Sequence, residues 1–240
     1  MAISPVVTQP ASKRAAPRFI TPPPLESGDR LSRREFERRY EARPDLKKAE
    51  LIEGVVHMPS PVHHASHSKP HAHLIGWLVA YCAATPGVDL DDNVTVRLDQ
   101  INEVQPDALL RLETGQSRIS ADDYIEGAPE LVAEIASSSA AIDLHRKLRV
   151  YLRSGVQEYL VWRTLDGQLD WFELREDEYV PLLPDEAGVI RSQVFPGLWL
   201  NVNALLDSKL AEALATLQLG LQSPEHAAFI AQLATSSQGS

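Results

Sequence analysis

The stretch "LVAEIASSSAAIDLHRKLRVYLRSGVQEYLVW", residues 131–162, carries one acidic residue in a segment that otherwise has the pattern of a buried strand. The alternation of side chains along a strand puts Glu134 on the same face as Val132 and Ala136, and the opposite face is also apolar. A lone carboxylate in such a strand costs several kcal/mol unless it is paired or bound to a metal. The stretch therefore predicts a partner for Glu134, which is either an arginine or backbone donor, or a metal ion.

A helix predicted over residues 141–154 and ended by Gly155 follows this strand. It carries Asp143, Lys147 and Tyr151 at spacings of four, so the three side chains form one line along the helix. An exposed Asp143–Lys147 ion pair, worth a few tenths of a kcal/mol, is the simpler interpretation of the first two. The alternative is that the line belongs to a functional site near Glu134.

Two other lines on the same helix set its orientation. The apolar line consists of Leu144, Leu148 and Leu152, and we expect it to face the sheet. The line of Lys147 then borders the buried side of the helix. The remaining surface is basic and carries Arg146, Arg149 and Arg153.

A second acid, Asp107, opens the segment "PDALLRLE" directly after Pro106, a position where a strand tolerates proline. We expect this strand to be a neighbour of the Glu134 strand. Two carboxylates on adjacent strands repel each other at short distance, and a divalent cation such as Mg²⁺ resolves that repulsion with oxygen ligands. A turn-capping role for Asp107 is the alternative.

The composition indicates an ordinary globular protein. The chain has 240 residues, of which 44% are hydrophobic and 23% charged, and its net charge is −10. Residues 1–48 carry +5 and residues 49–240 carry −15, so the acidic body disfavours broad, non-specific attraction to nucleic acid. No apolar run reaches the ~18 residues of a membrane span, and no signal peptide is indicated. The single cysteine, Cys82, excludes an intramolecular disulfide framework and is expected to be buried, and a cytoplasmic protein is the simplest interpretation.

Three segments are predicted along the chain. A disordered arm, rich in proline and small residues, is expected over residues 1–29, a mixed α/β domain over 30–206, and a C-terminal helix with a poorly packed tail over 207–240. Ser32 and Glu35 form the pattern of a capping box at the start of a short helix.

Further elements are predicted inside the domain. The segment "AELIEGVVHMPSP" is typical of two short strands that turn at Gly54, and residues 70–85 have the pattern of a mostly buried helix. Six of the eight histidines lie in residues 57–73, and His63, His67 and His71 are spaced by four. Pro61 and Pro70 disfavour one continuous helix through them, so we expect a polar loop near a cleft; a zinc site is the alternative.

Five segments together resemble the Uma-type restriction endonuclease family, which belongs to the wider PD-(D/E)xK nuclease-like fold. They are "AELIEG", "PDALL", "LVAEIASSS", "DLHRKLRVYLRSGVQEYLVW" and "FPGLWL". The resemblance extends over about residues 31–206 and implies a central mixed sheet flanked by helices, which is a restriction-endonuclease-like α/β fold. It also implies a Mg²⁺-dependent phosphodiesterase site in which Asp107, Glu134 and the Ile135 carbonyl bind the metal, and Mn²⁺ is expected to substitute.

The chain departs from the family pattern at one position. The lysine of E-x-K would fall at residue 136, which is alanine, and the matching lysine in this family is Lys147 on the following helix. The resemblance further implies a catalytic role for Glu50 and a position near the active site for His67. We expect His67, Arg146 and Tyr151 to contact substrate, and Tyr151 to do so through a hydrogen-bonding role or else to have a packing role.

Three function classes follow from these observations. The first is a metal-dependent DNA endonuclease, built on the two acids and the helix lysine. The second is a nuclease-fold module that binds nucleic acid or a protein without cleaving it, which the net charge and Ala136 favour. The third is a zinc hydrolase built on the histidines. The resemblance leaves a homodimer open as a way to cut both DNA strands, and no membrane association is expected.

Overall fold

A computed structural model of the chain describes residues 22–58, 63–137, 139 and 141–236. The helices are α1 (Arg33–Glu41), α2 (Lys69–Ala83), α3 (Leu148–Ser154), α4 (Val202–Leu206), α5 (Leu210–Leu221) and α6 (Pro224–Ser236). Turns of π-helix, His64–Ser68 and Ile142–Lys147, run directly into α2 and α3. The strands are β1 (Glu50–Ile52), β2 (Val55–His57), β3 (Val88–Asp91), β4 (Val96–Arg97), β5 (Glu103–Val104), β6 (Ala108–Leu112), β7 (Arg118–Ile119), β8 (Ile125–Glu126), β9 (Leu131–Ala136), β10 (Glu158–Arg163), β11 (Gln168–Arg175), β12 (Glu178–Pro181), β13 (Val189–Arg191) and β14 (Trp199–Asn201).

The central sheet has the strand order β12-β11-β10-β9-β6-β3. Strands β9 and β10 are parallel, and the other neighbouring pairs are antiparallel. A parallel pair needs a crossover connection, and the π-turn with α3 supplies it. This mixed sheet flanked by helices confirms the predicted fold class.

Each face of the central sheet has its own core. On one face, alternate residues of β9 such as Leu131 and Ala133 pack with α2 and α5, where Trp77 and Leu217 are buried. On the other face, Val132 packs with residues of α3 and of a second sheet. The predicted alternation along β9 is therefore confirmed, and Glu134 belongs to this second face.

The second sheet has the order β2-β1-β5-β4-β8-β7 and consists of strands of two or three residues. Its Val96 and Val104 pack in the same core as Val132 and Tyr151. The predicted turn between β1 and β2 is confirmed, with Glu53 and Gly54 at positive φ. This sheet brings Glu50, the first residue of β1, to the face of the central sheet that carries Glu134.

The helix predicted over residues 141–154 differs from expectation in its first half, which is π-helical up to Lys147. Its buried residues are Asp143, Lys147, Val150 and Tyr151. The three leucines expected to face the sheet are only half-buried. Leu144 and Leu148 do pack against the core on this face of the sheet, as expected, but the polar line lies deeper than the apolar one.

The N-terminal part of the described chain packs against β2. Of the arm predicted over residues 1–29, residues 1–21 lie outside the described residues, and Leu25 is buried beside Phe36 of α1. Ser32 occupies the N-cap position of α1, but its side chain makes no capping hydrogen bond. Glu35 instead binds Arg38 and Arg39 in the same helix, so the capping-box prediction is wrong.

The described segment after Ser223 packs better than the sequence predicted. Residues 224–236 form α6, in which His226 and Leu233 are buried. His226 lies 2.9 Å from the Thr85 hydroxyl, which follows α2. The segment after Ser223 was expected to pack poorly, and that expectation is wrong for these residues. Within the described residues, no helix has the length and apolarity needed to cross a membrane.

Candidate active site

The strands of the two predicted acids are neighbours, as the sequence predicted. In the antiparallel pair β6–β9, Ala108 lies opposite Ala133. Continuing this register by one residue places Asp107 opposite Glu134, and residues opposite each other in a sheet point to the same face. Both carboxylates are buried, with 4% and 3% of their surface exposed. The register therefore brings two buried acids to one place on the second face of the sheet.

Lys147 reaches this place from the π-turn before α3. Its Nζ lies 2.9 Å from Oε1 of Glu134 and 3.0 Å from Oε1 of Glu50. Asp143 is farther, with 3.9 Å between Nζ and Oδ1. Lys147 is itself only 4% exposed. One buried ammonium therefore lies among three buried carboxylates.

The side chains around this lysine are tied by further hydrogen bonds. The hydroxyl of Tyr151 donates to Oε1 of Glu134 at 2.9 Å, so Tyr151 has a hydrogen-bonding role in addition to its packing. The backbone N–H of Gln105 donates to Oε1 of Glu50 at 2.8 Å. Ser139 donates to Oδ2 of Asp143 at 2.5 Å. These contacts hold the acids in defined orientations.

Asp107 has a separate set of partners. The backbone N–H of Ile135 donates to Oδ2 at 2.7 Å, and Nε2 of His67 lies 3.4 Å from the same oxygen. Nζ of Lys48 lies 3.6 Å from Oδ1. Burial alone would raise the pKa of Asp107, but His67, Lys48 and the Ile135 N–H outweigh it and hold the pKa well below its usual range. Asp107 is therefore an anion.

His71 supports Asp107 through the backbone. Its Nε2 lies 2.9 Å from the Asp107 carbonyl oxygen and 3.0 Å from Oδ1 of Asp92. The rings of His67 and His71 stack with centroids 5.9 Å apart. A continuous helix from His64 onward makes this possible, because Pro70 falls in the first turn of α2, where proline is tolerated. The expectation of a loop is therefore wrong for residues 64–73, while residues 59–62 lie outside the described residues.

The charges of this cluster are strongly coupled. Burial raises the pKa of Glu134 above its ordinary value; the ammonium of Lys147 opposes this, while Asp143, Asp107 and Glu50 add to it. Burial disfavours the charge on Lys147, but Glu134, Glu50 and Asp143 outweigh burial and raise its pKa well above the usual value. Lys147 is therefore an ammonium, and this one buried cation is shared among three buried carboxyl groups.

The basic surface predicted on the helix lies outside this cluster. Arg146 is exposed, and its Nη1 lies 3.3 Å from Nε2 of His57 at the end of β2. Arg149 and Arg153 are also exposed and pair with Glu53 in the β1–β2 turn. The structure does not bring Arg146 into contact with the acids.

Two neighbours of Asp107 were missed in the sequence, namely Lys48 and His71. Lys48 precedes Glu50 by two residues, and the period of a strand, extended backward, places both on one side. His71 was noticed only as part of the histidine spacing, because its contact is with a backbone carbonyl. Asp143 was recognised as a partner of Lys147 but not as a buried one.

Among the described residues, no group of three or more His, Cys, Asp or Glu side chains is arranged to hold a metal ion as it stands. The geometry explains this for the acids around Lys147. The ammonium lies within 3.0 Å of both Glu134 and Glu50 and takes one oxygen of each. Any cation in this region would use the remaining oxygens.

Comparisons with known proteins agree with the fold. The model of the Uma2 family, described as "Putative restriction endonuclease", matches residues 33–203. Among solved structures, the chain is similar to one described as a putative nuclease belonging to DUF820 from Anabaena variabilis. The TM-score is 0.52 at 13% sequence identity, over 66% of this chain and 89% of that one, so this likeness concerns the fold alone. No curated protein matches the sequence. Because the family model covers more than half of the chain, including every acid of the cluster, the chain belongs to the Uma2 family.

Proposed function

We propose that the chain is a Mg²⁺-dependent DNA endonuclease that hydrolyses phosphodiester bonds at the cluster around Lys147. One observation carries the proposal: Asp107, Glu134 and Glu50 are buried on one face with a single fully buried lysine among them. A structural ion pair needs one carboxylate for each ammonium, and this cluster has an excess. Membership of a restriction endonuclease family supports the same chemistry.

The residues fit a divalent cation by their donor chemistry. Within the described part of the chain, Oε2 of Glu134 and Oε2 of Glu50 accept no hydrogen bond, and Oδ1 of Asp107 has only Lys48 at 3.6 Å. Carboxylate oxygens are the hard ligands that Mg²⁺ prefers, and it keeps waters for its remaining positions. In this proposal Asp107, Glu134 and the Ile135 carbonyl hold the ion, and Mn²⁺ substitutes for it.

The bound ion would lower the pKa of a coordinated water and polarise the scissile phosphate. Lys147 holds Glu134 and Glu50 in fixed orientations and keeps a compact positive charge beside the place where the water is activated. Glu50 orients that water with its second carboxylate oxygen. Tyr151 fixes Glu134 through its hydroxyl.

The substrate is DNA in this proposal. His67 beside Asp107 and the exposed Arg146 near the end of β2 would contact it. An arginine can pair with a phosphate through two parallel hydrogen bonds. A homodimer would allow two such sites to cut both strands of a duplex.

Cleavage of supercoiled plasmid with Mg²⁺ or Mn²⁺, together with calorimetric titration of Mn²⁺, tests the proposal. We expect cleavage by the wild type, loss of both cleavage and ion binding in Asp107→Ala and Glu134→Ala, and no change in Glu186→Ala, which alters an exposed acid away from the cluster. If the wild type neither binds the ion nor cuts any DNA tested, the proposal fails and a non-catalytic nuclease-fold module is the better description.

A further inference from the structure

Lys48 is a second lysine at the cluster, and its surroundings differ from those of Lys147. It lies two residues before Glu50, in the segment that leads into β1. Its Nζ is 3.6 Å from Oδ1 of the buried Asp107 and 3.4 Å from the amide oxygen of the exposed Asn93. Lys48 therefore spans the distance from the buried acids to the surface.

The exposure of the two lysines separates their roles. The side chain of Lys147 is 4% exposed, and that of Lys48 is 23% exposed. The ammonium of Lys147 is engaged by Glu134 and Glu50 at short distance, so it could reach a substrate only by breaking buried ion pairs. The ammonium of Lys48 has no carboxylate at hydrogen-bond distance among the described residues. Of its three donors, some remain for a ligand that approaches from solvent.

On the basis of the nuclease function proposed above, we infer that Lys48 binds a phosphate of the DNA backbone at this site. Lys147 then acts as a positioning residue for the carboxylates. A lysine binds phosphate as a point charge, without the geometric demand of an arginine fork. Lys48 also places a positive charge beside Asp107, which reduces the repulsion that the buried acids exert on an approaching phosphate.

The salt dependence of DNA binding tests this assignment, because a lysine that only stabilises the fold does not alter it. A fluorescein-labelled 20-base-pair duplex is titrated with the full-length protein in Ca²⁺, and a gel verifies that the DNA stays intact. The logarithm of the binding constant is plotted against the logarithm of the salt concentration. The loss of one phosphate contact lowers the steepness of this plot by about 0.9. It also weakens the binding of duplexes of unrelated sequence equally, because a phosphate contact does not depend on the bases.

We expect this decrease in Lys48→Ala and the wild-type steepness in Lys48→Arg, which keeps the charge. Lys47→Ala is the matched control, since this neighbouring lysine is exposed and contacts none of the acids. Thermal melting shows that each variant is folded, and Lys48→Gln replaces the alanine variant if that one unfolds. Equal plots for Lys47→Ala and Lys48→Ala overturn the inference but leave the proposed function intact. No binding of any duplex by the wild type overturns both.

Discussion

The Nζ of Lys147 lies 2.9 Å from Oε1 of Glu134, although 13 positions separate the two residues in the chain. The contact is made across the crossover between the parallel strands β9 and β10, which lays the π-turn before α3 over the end of β9. The alanine at position 136 leaves no lysine on the strand itself. The helix thus supplies a buried cation next to Glu134 that the strand lacks.

Replacing Lys147 by methionine should destabilise the protein and stop cleavage. Two buried carboxylates would lose their counter-ion, which typically costs about 3–5 kcal/mol of unfolding free energy. Cleavage should fall by about 10²-fold, because without Lys147 the carboxylates of Glu134 and Glu50 are no longer held in position, while Mn²⁺ binding is largely retained. Urea unfolding without metal and plasmid cleavage measure the two effects.

Lys209→Met is the control for this substitution, because that lysine pairs with Asp207 at the surface. We expect its unfolding free energy to stay near the wild-type value. Lys147→Arg should not restore full cleavage, since a planar fork does not fit the place of a compact ammonium. Unchanged cleavage by Lys147→Met would contradict the role given to this residue.

Tyr151→Phe should weaken the hold on Glu134 without opening a large cavity. The lost hydrogen bond to a buried carboxylate corresponds to roughly 1.5–3 kcal/mol of unfolding free energy. Tyr179→Phe is the matched control, because its hydroxyl donates to the neutral backbone carbonyl of Val156 at 2.9 Å. The control should lose about 1 kcal/mol and keep its cleavage rate. If both variants lose the same stability and the same activity, Tyr151 has only a packing role.

Binding of the proposed divalent ion should strengthen as the pH rises. Burial and the neighbouring acids raise the pKa of Glu134, so without metal this carboxyl holds a proton at pH values where an exposed glutamate would not. The ion must displace that proton, so its apparent affinity increases with pH and levels off above the raised pKa. Calorimetry in two buffers of different ionisation enthalpy should show a release of up to about one proton per ion. An affinity that does not change between about pH 6 and pH 9 would contradict this.

Glu103, in the second sheet, should make the protein less stable as the pH rises, and Glu103→Gln should remove this pH dependence. Burial, and next Glu37, raise the pKa of Glu103, and Arg97 opposes them. The folded protein then keeps a proton that the unfolded chain releases near pH ~4.3, so stability falls as the pH rises from that value toward the raised pKa. The difference in melting temperature, variant minus wild type, should therefore be larger at about pH 8 than at about pH 5. Glu113→Gln, at an exposed site, should show no such difference, and a pH-independent effect of Glu103→Gln would contradict the prediction.

Several features of the fold could be predicted because they depend on local periodicity. The alternation in "LVAEIA" placed Glu134 on the correct face of a central strand, and Gly54 marked the turn between β1 and β2. Pro106 indicated where the strand after Asp107 begins, and the expected neighbour relation with β9 holds. In each case the residues that decide the structure are adjacent in sequence, or share a repeat of two along a strand.

Only the tertiary structure decided which line of the helix formed by the π-turn and α3 lies deepest. Hydrophobicity favoured the leucines, but Lys147 lies inside because Glu50 and Glu134, which belong to two different sheets, meet it there. Asp143 is buried beside Lys147 and accepts a hydrogen bond from Ser139. The contacts of Lys48 and His71 with Asp107 likewise join residues 36 or more positions apart. The periodicity of a single segment predicts which side chains share a face. The charged side chains that pack against that face come from elements distant in the chain, so the periodicity does not predict them. The sequence by itself therefore determined the strands and the acids, and the packing of the second sheet and the helix onto β9 decided which cations neutralise them.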